Sequence, residues 1–144
     1  MNALPTEKPK GMLEGIPSSY SALERALEVS KRTVTVGFDW DTVDEVWDKV
    51  EEECQELKEA YKQGDKTEIQ LEMGDVLFSL VNVARKMGVD AEEALQATCD
   101  KFSWRWEAME QMAFQKGQKI GALSMDELQE LWDKAKEVEK AEKA

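Results

Sequence analysis

The stretch Lys66 to Met87, KTEIQLEMGDVLFSLVNVARKM, limits what this chain can fold into more than any other. At ~100° per residue, Ile69, Leu71, Met73, Val76, Leu77, Phe78, Leu80, Val81, Val83, Ala84 and Met87 point all round a helical barrel. That pattern predicts a helix buried in a core. One stripe interrupts it: Glu68, Glu72, Asp75, Ser79, Asn82 and Lys86 recur at spacings of three and four and share one quadrant. Carboxylates on a buried helix are unfavourable unless something positive faces them. The remaining chain must supply that partner.

The flanking sequence reads as further helices. Residues 1–17 hold all three prolines, Pro5, Pro9 and Pro17, and are expected to be a tail or linker; residues 18–144 are expected to form a single domain. A first helix is expected from Ser18 or Ser19, with Leu23 and Leu27 on its apolar face, fading at the β-branched run Thr33 to Val36. A second opens at Thr42, where Glu45 completes a capping box, and carries the stripe Val43, Val46, Trp47, Val50, Cys54, Leu57 and Tyr61 as far as Gly64-Asp65. Asp65 or Thr67 caps the central helix and Gly88 follows its last turn. A fourth helix runs from Asp90 to about Lys116, and a fifth opens at Ser124 and fades into the charged KAEKA end. The fold class expected is all-α, an antiparallel bundle of four to five helices. The central helix is too apolar for the edge of a small monomer. Either the other helices cover it or a second copy does, and a C2 homodimer is the commonest solution. Gly74 is expected to give room for a close helix approach.

Composition narrows the function classes. The 144 residues suffice for one core, and no run of 18 apolar residues or signal-like N-terminus is present, so a cytoplasmic protein with no membrane partner is expected. Cys54 and Cys99 lack metal or redox spacing and are expected to be buried, reduced thiols. Histidine is absent, which removes histidine acid–base chemistry and histidine metal sites. A net charge of −12 argues against nucleic acid, whose binding rests on Lys and Arg neutralising phosphates. An anionic ligand would need a metal intermediary.

The candidates to face the polar stripe lie in the second helix, in Glu51-Glu52-Glu53-Cys54-Gln55-Glu56. Glu53 and Glu56 flank its apolar face. If the second and central helices are antiparallel, Glu53 and Glu56 approach Glu72 and Asp75. Two like charges at 4 Å repel by ~1 kcal/mol in water and about 4 kcal/mol at an effective dielectric of 20, so such a group must protonate or bind a cation. No basic residue at i+4 matches these carboxylates. Taken singly, each acidic segment reads as a solvated helix face; together, with one on a buried helix, they point to a metal. An all-oxygen donor set without histidine selects hard cations, Mg²⁺ or Mn²⁺, and Mg²⁺ commonly bridges carboxylates to substrate phosphates.

EExxE at Glu52 to Glu56 and ExxD at Glu72 to Asp75, within LEMGDVLFSLVNVAR and preceded by GFDWDT, resemble the MazG family of nucleoside triphosphate pyrophosphohydrolases. The similarity runs from about Gly15 to the C-terminus and includes KFSWR at Lys101 to Arg105. The resemblance implies an α-helical dimer that hydrolyses an NTP or dNTP to the monophosphate and pyrophosphate with Mg²⁺. It implies metal ligation by Glu52, Glu53, Glu56, Glu72 and Asp75; for the catalytic base that orients and deprotonates water, Glu53 and Glu56 are the candidates. Asn82 and Arg85, of its VNxAR element, and the basic pair Lys101 and Arg105 are implied to contact substrate. One position departs from the pattern: the residue before Arg105, often basic in relatives, is Trp104. Many relatives carry two such domains, and Leu13 to Gly37 resembles their interdomain linker, so a stand-alone form and a C-terminal half both fit. Rival readings keep the fold with a narrower substrate, dUTPase-like, dCTPase-like or phosphoribosyl-ATP pyrophosphohydrolase, or make the chain a non-enzymatic acidic interaction module.

Overall fold

The computed structural model describes residues 9–144, and among them the regular structure is helical throughout. In chain order it comprises α1 (Ala22–Val34), α2 (Val43–Gln63), α3 (Lys66–Lys86), α4 (Ala91–Gln115), a 3-10 turn (Ile120–Ala122) and α5 (Met125–Lys143). The all-α expectation holds. The chain gathers into two compact units, one reaching to Glu92 and the other Glu93–Ala144.

Local chemistry sets the helix ends. The first helix starts at neither Ser18 nor Ser19 but after Ser21, because Ser21 and Glu24 form a reciprocal capping box. Thr42 accepts from the Glu45 backbone N–H, while the Glu45 carboxylate reaches the Asp41 amide instead of its cap, so only half of that expected box forms. Gly64 ends α2 at φ 78°, a left-handed turn that glycine adopts without a Cβ clash. Asp65 then accepts from the amides of Thr67 and Glu68, so two antiparallel helices are joined almost without a loop. Ser124 and Glu127 form the capping box expected of α5. This last helix continues to Lys143 where fading was expected, consistent with the high helix propensity of Ala, Lys and Glu. The expected tail at 1–17 falls partly on residues 1–8, which lie outside the described residues. Beyond them, Arg32 donates to the carbonyls of Met12 and Glu14, pinning that segment to α1.

In the first unit α3 packs mainly on α2 and less on α1. Val46, Val50 and Val83 form its core cluster, with Trp40, Val43 and Cys54 against it. In the second, Met109 and Ala113 of α4 interlock with Leu131 and Ala135 of α5. Cys99 is exposed rather than buried, and Cys54 half-buried; both are free thiols. Among the described residues no helix is long and apolar enough to cross a membrane.

Within the first unit, α1 and α2 leave one side of α3 uncovered. Leu71, Met73, Leu77, Phe78, Leu80 and Met87 all remain exposed, Leu71 at 58% and Leu77 at 49%. Gly74 corrects a second expectation: a Cβ built there meets nothing within 4 Å. It lies on the open side of α3, at helical spacing from Leu71 and Phe78, and mediates no close approach among the described residues.

Candidate metal centre

Antiparallel pairing of α2 and α3 brings residues far apart in sequence to one point. One carboxylate oxygen each from Glu53, Glu56 and Glu72 lies within 4.8 Å of the others. Glu53 and Glu56 are three apart on α2 and so share a face; Glu72 comes from the facing turn of α3. Burial separates this group from a solvated acidic patch. Glu53 is only 7% exposed, and Oε2 of both Glu53 and Glu72 is buried with no hydrogen-bond partner among the described residues. A buried, unpartnered carboxylate oxygen is strongly unfavourable.

Charge repulsion from Glu53 raises the Glu56 carboxyl above the usual glutamate range, with desolvation and repulsion from Glu72 adding to it. Something positive must be shared among the three, and the choice is a proton or a cation. The residues present fit a hard divalent ion: every donor is a carboxylate oxygen, and the unpartnered ones are the donors such an ion would satisfy. No histidine or thiol competes for a softer metal.

A basic residue does stand at the cluster, four residues before Glu53 rather than four after it. Lys49, one turn before Glu53, places Nζ 3.1 Å from Glu53 Oε1 and 3.4 Å from Glu52 Oε1. Its hydrogen bond to Glu53 is the main reason its ammonium holds its proton more firmly than an ordinary lysine. The i, i+4 spacing was visible in sequence, but read from Glu53 it points backward. Glu52, more than half exposed, faces Lys49 and lies outside the group of three. Asp75, one turn beyond Glu72, is exposed and also outside it.

The other expected site residues have different surroundings. Asn82, 1% exposed, accepts from Ser30 Oγ and donates to the Phe78 carbonyl. Arg85 donates from Nε to Ser30 Oγ and grips Asp39 in two-pronged fashion at 2.7 and 3.2 Å. The Arg85 hydrogen bond, more than any other influence, holds the Asp39 carboxyl far below the usual carboxylate range. Of the two ends of the polar stripe, Lys86 is a half-buried partner of Asp39 at 3.0 Å, whereas Glu68 is exposed. This network fastens α1 and the turn before α2 onto α3. Ser30 and Asp39 escaped sequence reasoning because nothing in their local pattern signals partners some fifty residues on.

In the second unit, Lys101 is exposed on α4. Arg105 is engaged by Glu139 of α5 through two hydrogen bonds of 3.1 Å, and its guanidinium lies 5.1 Å from the Trp132 ring centroid. That ring also meets Phe102 at 5.2 Å between centroids.

Residues 42–109 match the family model of the MazG nucleotide pyrophosphohydrolase domain. The chain is 39% identical over 129 residues to the nucleoside triphosphate pyrophosphohydrolase of Escherichia coli, covering 88% of this chain and 49% of that one. It is 41% identical over 115 residues to the nucleoside triphosphate pyrophosphohydrolase/pyrophosphatase MazG of Thermotoga maritima, 80% of this chain and 44% of that one. A Bacillus subtilis protein, YabN, is 42% identical over 72 residues, half of this chain and 15% of its own. The chain spans about half the length of the first two relatives. The matched segment 42–109 contains every candidate site residue, from Glu52 to Arg105.

Proposed function

We propose that this chain, whose residues 42–109 match the MazG family model, is a member of that family and hydrolyses nucleoside triphosphates, ribo or deoxy, to the monophosphate and pyrophosphate with Mg²⁺. One observation carries this reading. Three carboxylates from α2 and α3 converge, two of them with a buried oxygen that nothing among the described residues satisfies. A bound divalent ion would neutralise the triphosphate charge and polarise the phosphoryl group under attack.

Glu53, Glu56 and Glu72 would hold that ion, with Asp75 on the same quadrant of α3 as a further ligand. Glu52, turned toward Lys49, is assigned to the rim. Glu56 is the better candidate for the catalytic base. It shares the face of α2 that carries Glu53, beside the proposed ion, where a water activated by that ion would be within its reach. Glu53, 7% exposed and with its buried Oε2 unpartnered among the described residues, is the better ligand. Asn82 and Arg85 are reassigned from substrate contact to positioning, since both are engaged by Ser30 and Arg85 also by Asp39. Lys101 and Arg105 are assigned to the substrate phosphates; Arg105 would have to exchange Glu139 for the ligand. The apolar side of α3 is assigned to a second copy of the chain, and the cytoplasm to the protein's location.

The test is hydrolysis of a panel of NTPs and dNTPs with Mg²⁺, following monophosphate and pyrophosphate separately. Activity is expected in the wild type. Glu56→Gln and Asp75→Asn, folded by circular dichroism, should each lose at least about a hundredfold, as removal of a base or metal ligand does. Wild-type rates in both variants, or release of orthophosphate rather than pyrophosphate, would overturn the proposal.

A further inference from the structure

The carboxylate cluster comes with its own cation. Lys49 Nζ is 3.1 Å from Glu53 Oε1, and among the described residues no other lysine or arginine forms an ion pair with Glu53, Glu56 or Glu72. The contact is one-sided: Oε2 of the same buried carboxylate has no partner among the described residues. Lys49 is itself 38% exposed, so its ammonium can pass from Glu53 to water while its stem stays on α2.

We infer that Lys49 is a resident counter-cation of the cluster, bound to Glu53 in the metal-free protein and in competition with a divalent ion for that carboxylate. This rests on the metal-binding reading above. Two effects of Lys49 on cation affinity oppose one another. Its hydrogen bond orients Glu53, which favours binding; its charge repels a divalent ion at the adjacent oxygen and occupies part of the donor set, which disfavours it. An i, i+4 ion pair open to solvent on one side orders a side chain weakly. Repulsion between a single and a double positive charge a few ångströms apart, beside buried oxygens, is the larger effect. Competition therefore outweighs orientation. Lys49 lets carboxylates gather in the absence of metal and gives way when metal binds.

The experiment is calorimetric titration of MgCl₂, and separately MnCl₂, into the full chain at fixed ionic strength, with melting curves of the metal-free proteins. Lys49→Gln should tighten Kd by about three- to tenfold, a factor set by partly screened repulsion. The same change should lower the metal-free Tm. Lys49→Met, which keeps the apolar stem, should behave alike, and Lys49→Arg should match the wild type. Lys58→Gln removes one charge from an exposed site on the same helix and should leave Kd within about twofold, screening having reduced its reach. Unchanged or weaker binding in Lys49→Gln and Lys49→Met would overturn the inference, as would an equal gain in Lys58→Gln. Absence of any Mg²⁺ or Mn²⁺ binding by the wild type would instead overturn the metal reading on which it rests.

Discussion

Asp39 shows how much one carboxylate can do for this fold. It accepts from Arg85 and Lys86 of α3, and Arg85 also holds Ser30 of α1, so a single acid links three segments of the first unit. Arg85 holds the Asp39 carboxyl well below the ordinary range. Its folded pKa is thus lower than its unfolded one. The stability it contributes is complete above the unfolded value near ~3.9 and is lost as pH falls from there toward the folded value. Asp39→Asn should cost about 2 kcal/mol at pH 7, since it leaves two half-buried cations short of a partner. It should also flatten the decline of Tm between pH 4 and pH 2. An unaltered acid limb in denaturation curves of the variant would refute that role. The glutamates of EExxE were legible as a group, but their division of labour was not. Helical spacing shows that Glu53 and Glu56 share a face; only burial shows that Glu53 is the one enclosed.

At the scale of the helices, boundaries were legible wherever a capping residue acts on its own neighbours. The Thr42 start, the Gly64 stop and the Ser124 box depend on three or four consecutive residues, and all three stand where the pattern put them. Ser21 was missed because serines 18, 19 and 21 all precede the same apolar stripe; the reciprocal bond with Glu24 selects among them. Asp65 is the most consequential cap, since it satisfies two amides of α3 directly after α2 ends and so sets the register that carries Glu72 to Glu53 and Glu56. Asp65→Ala should destabilise the protein by about 1 kcal/mol, read from urea denaturation. The same substitution should weaken Mg²⁺ binding if register is what it controls. A loss of stability with unchanged Mg²⁺ affinity would confine Asp65 to capping.

At the scale of the whole molecule, the unfinished surface is the apolar side of α3. Met73, Leu77, Leu80 and Met87 recur at helical spacing and are all exposed. A stripe of that size on a monomer invites association. A second copy packed on it would bury it by the isologous contact that C2 symmetry supplies. The wild type should therefore elute and scatter light at twice the chain mass, and Leu77→Glu with Leu80→Glu should yield monomers that remain helical. A wild-type monomer at micromolar concentration would remove the dimer from the proposal.

The sequence alone determined the all-helical class, most helix boundaries and the identity of the acidic segments, because these depend on periodicity and on capping between near neighbours. It also marked α3 as needing cover. Tertiary structure decided which carboxylates meet, that Lys49 stands among them, that Asn82 and Arg85 are held by Ser30 and Asp39, and that Gly74 faces open space. The physical reason is the same in each case. Burial and pairing belong to contacts between helices, and a carboxylate reads identically in sequence whether water, a lysine or a second carboxylate stands opposite.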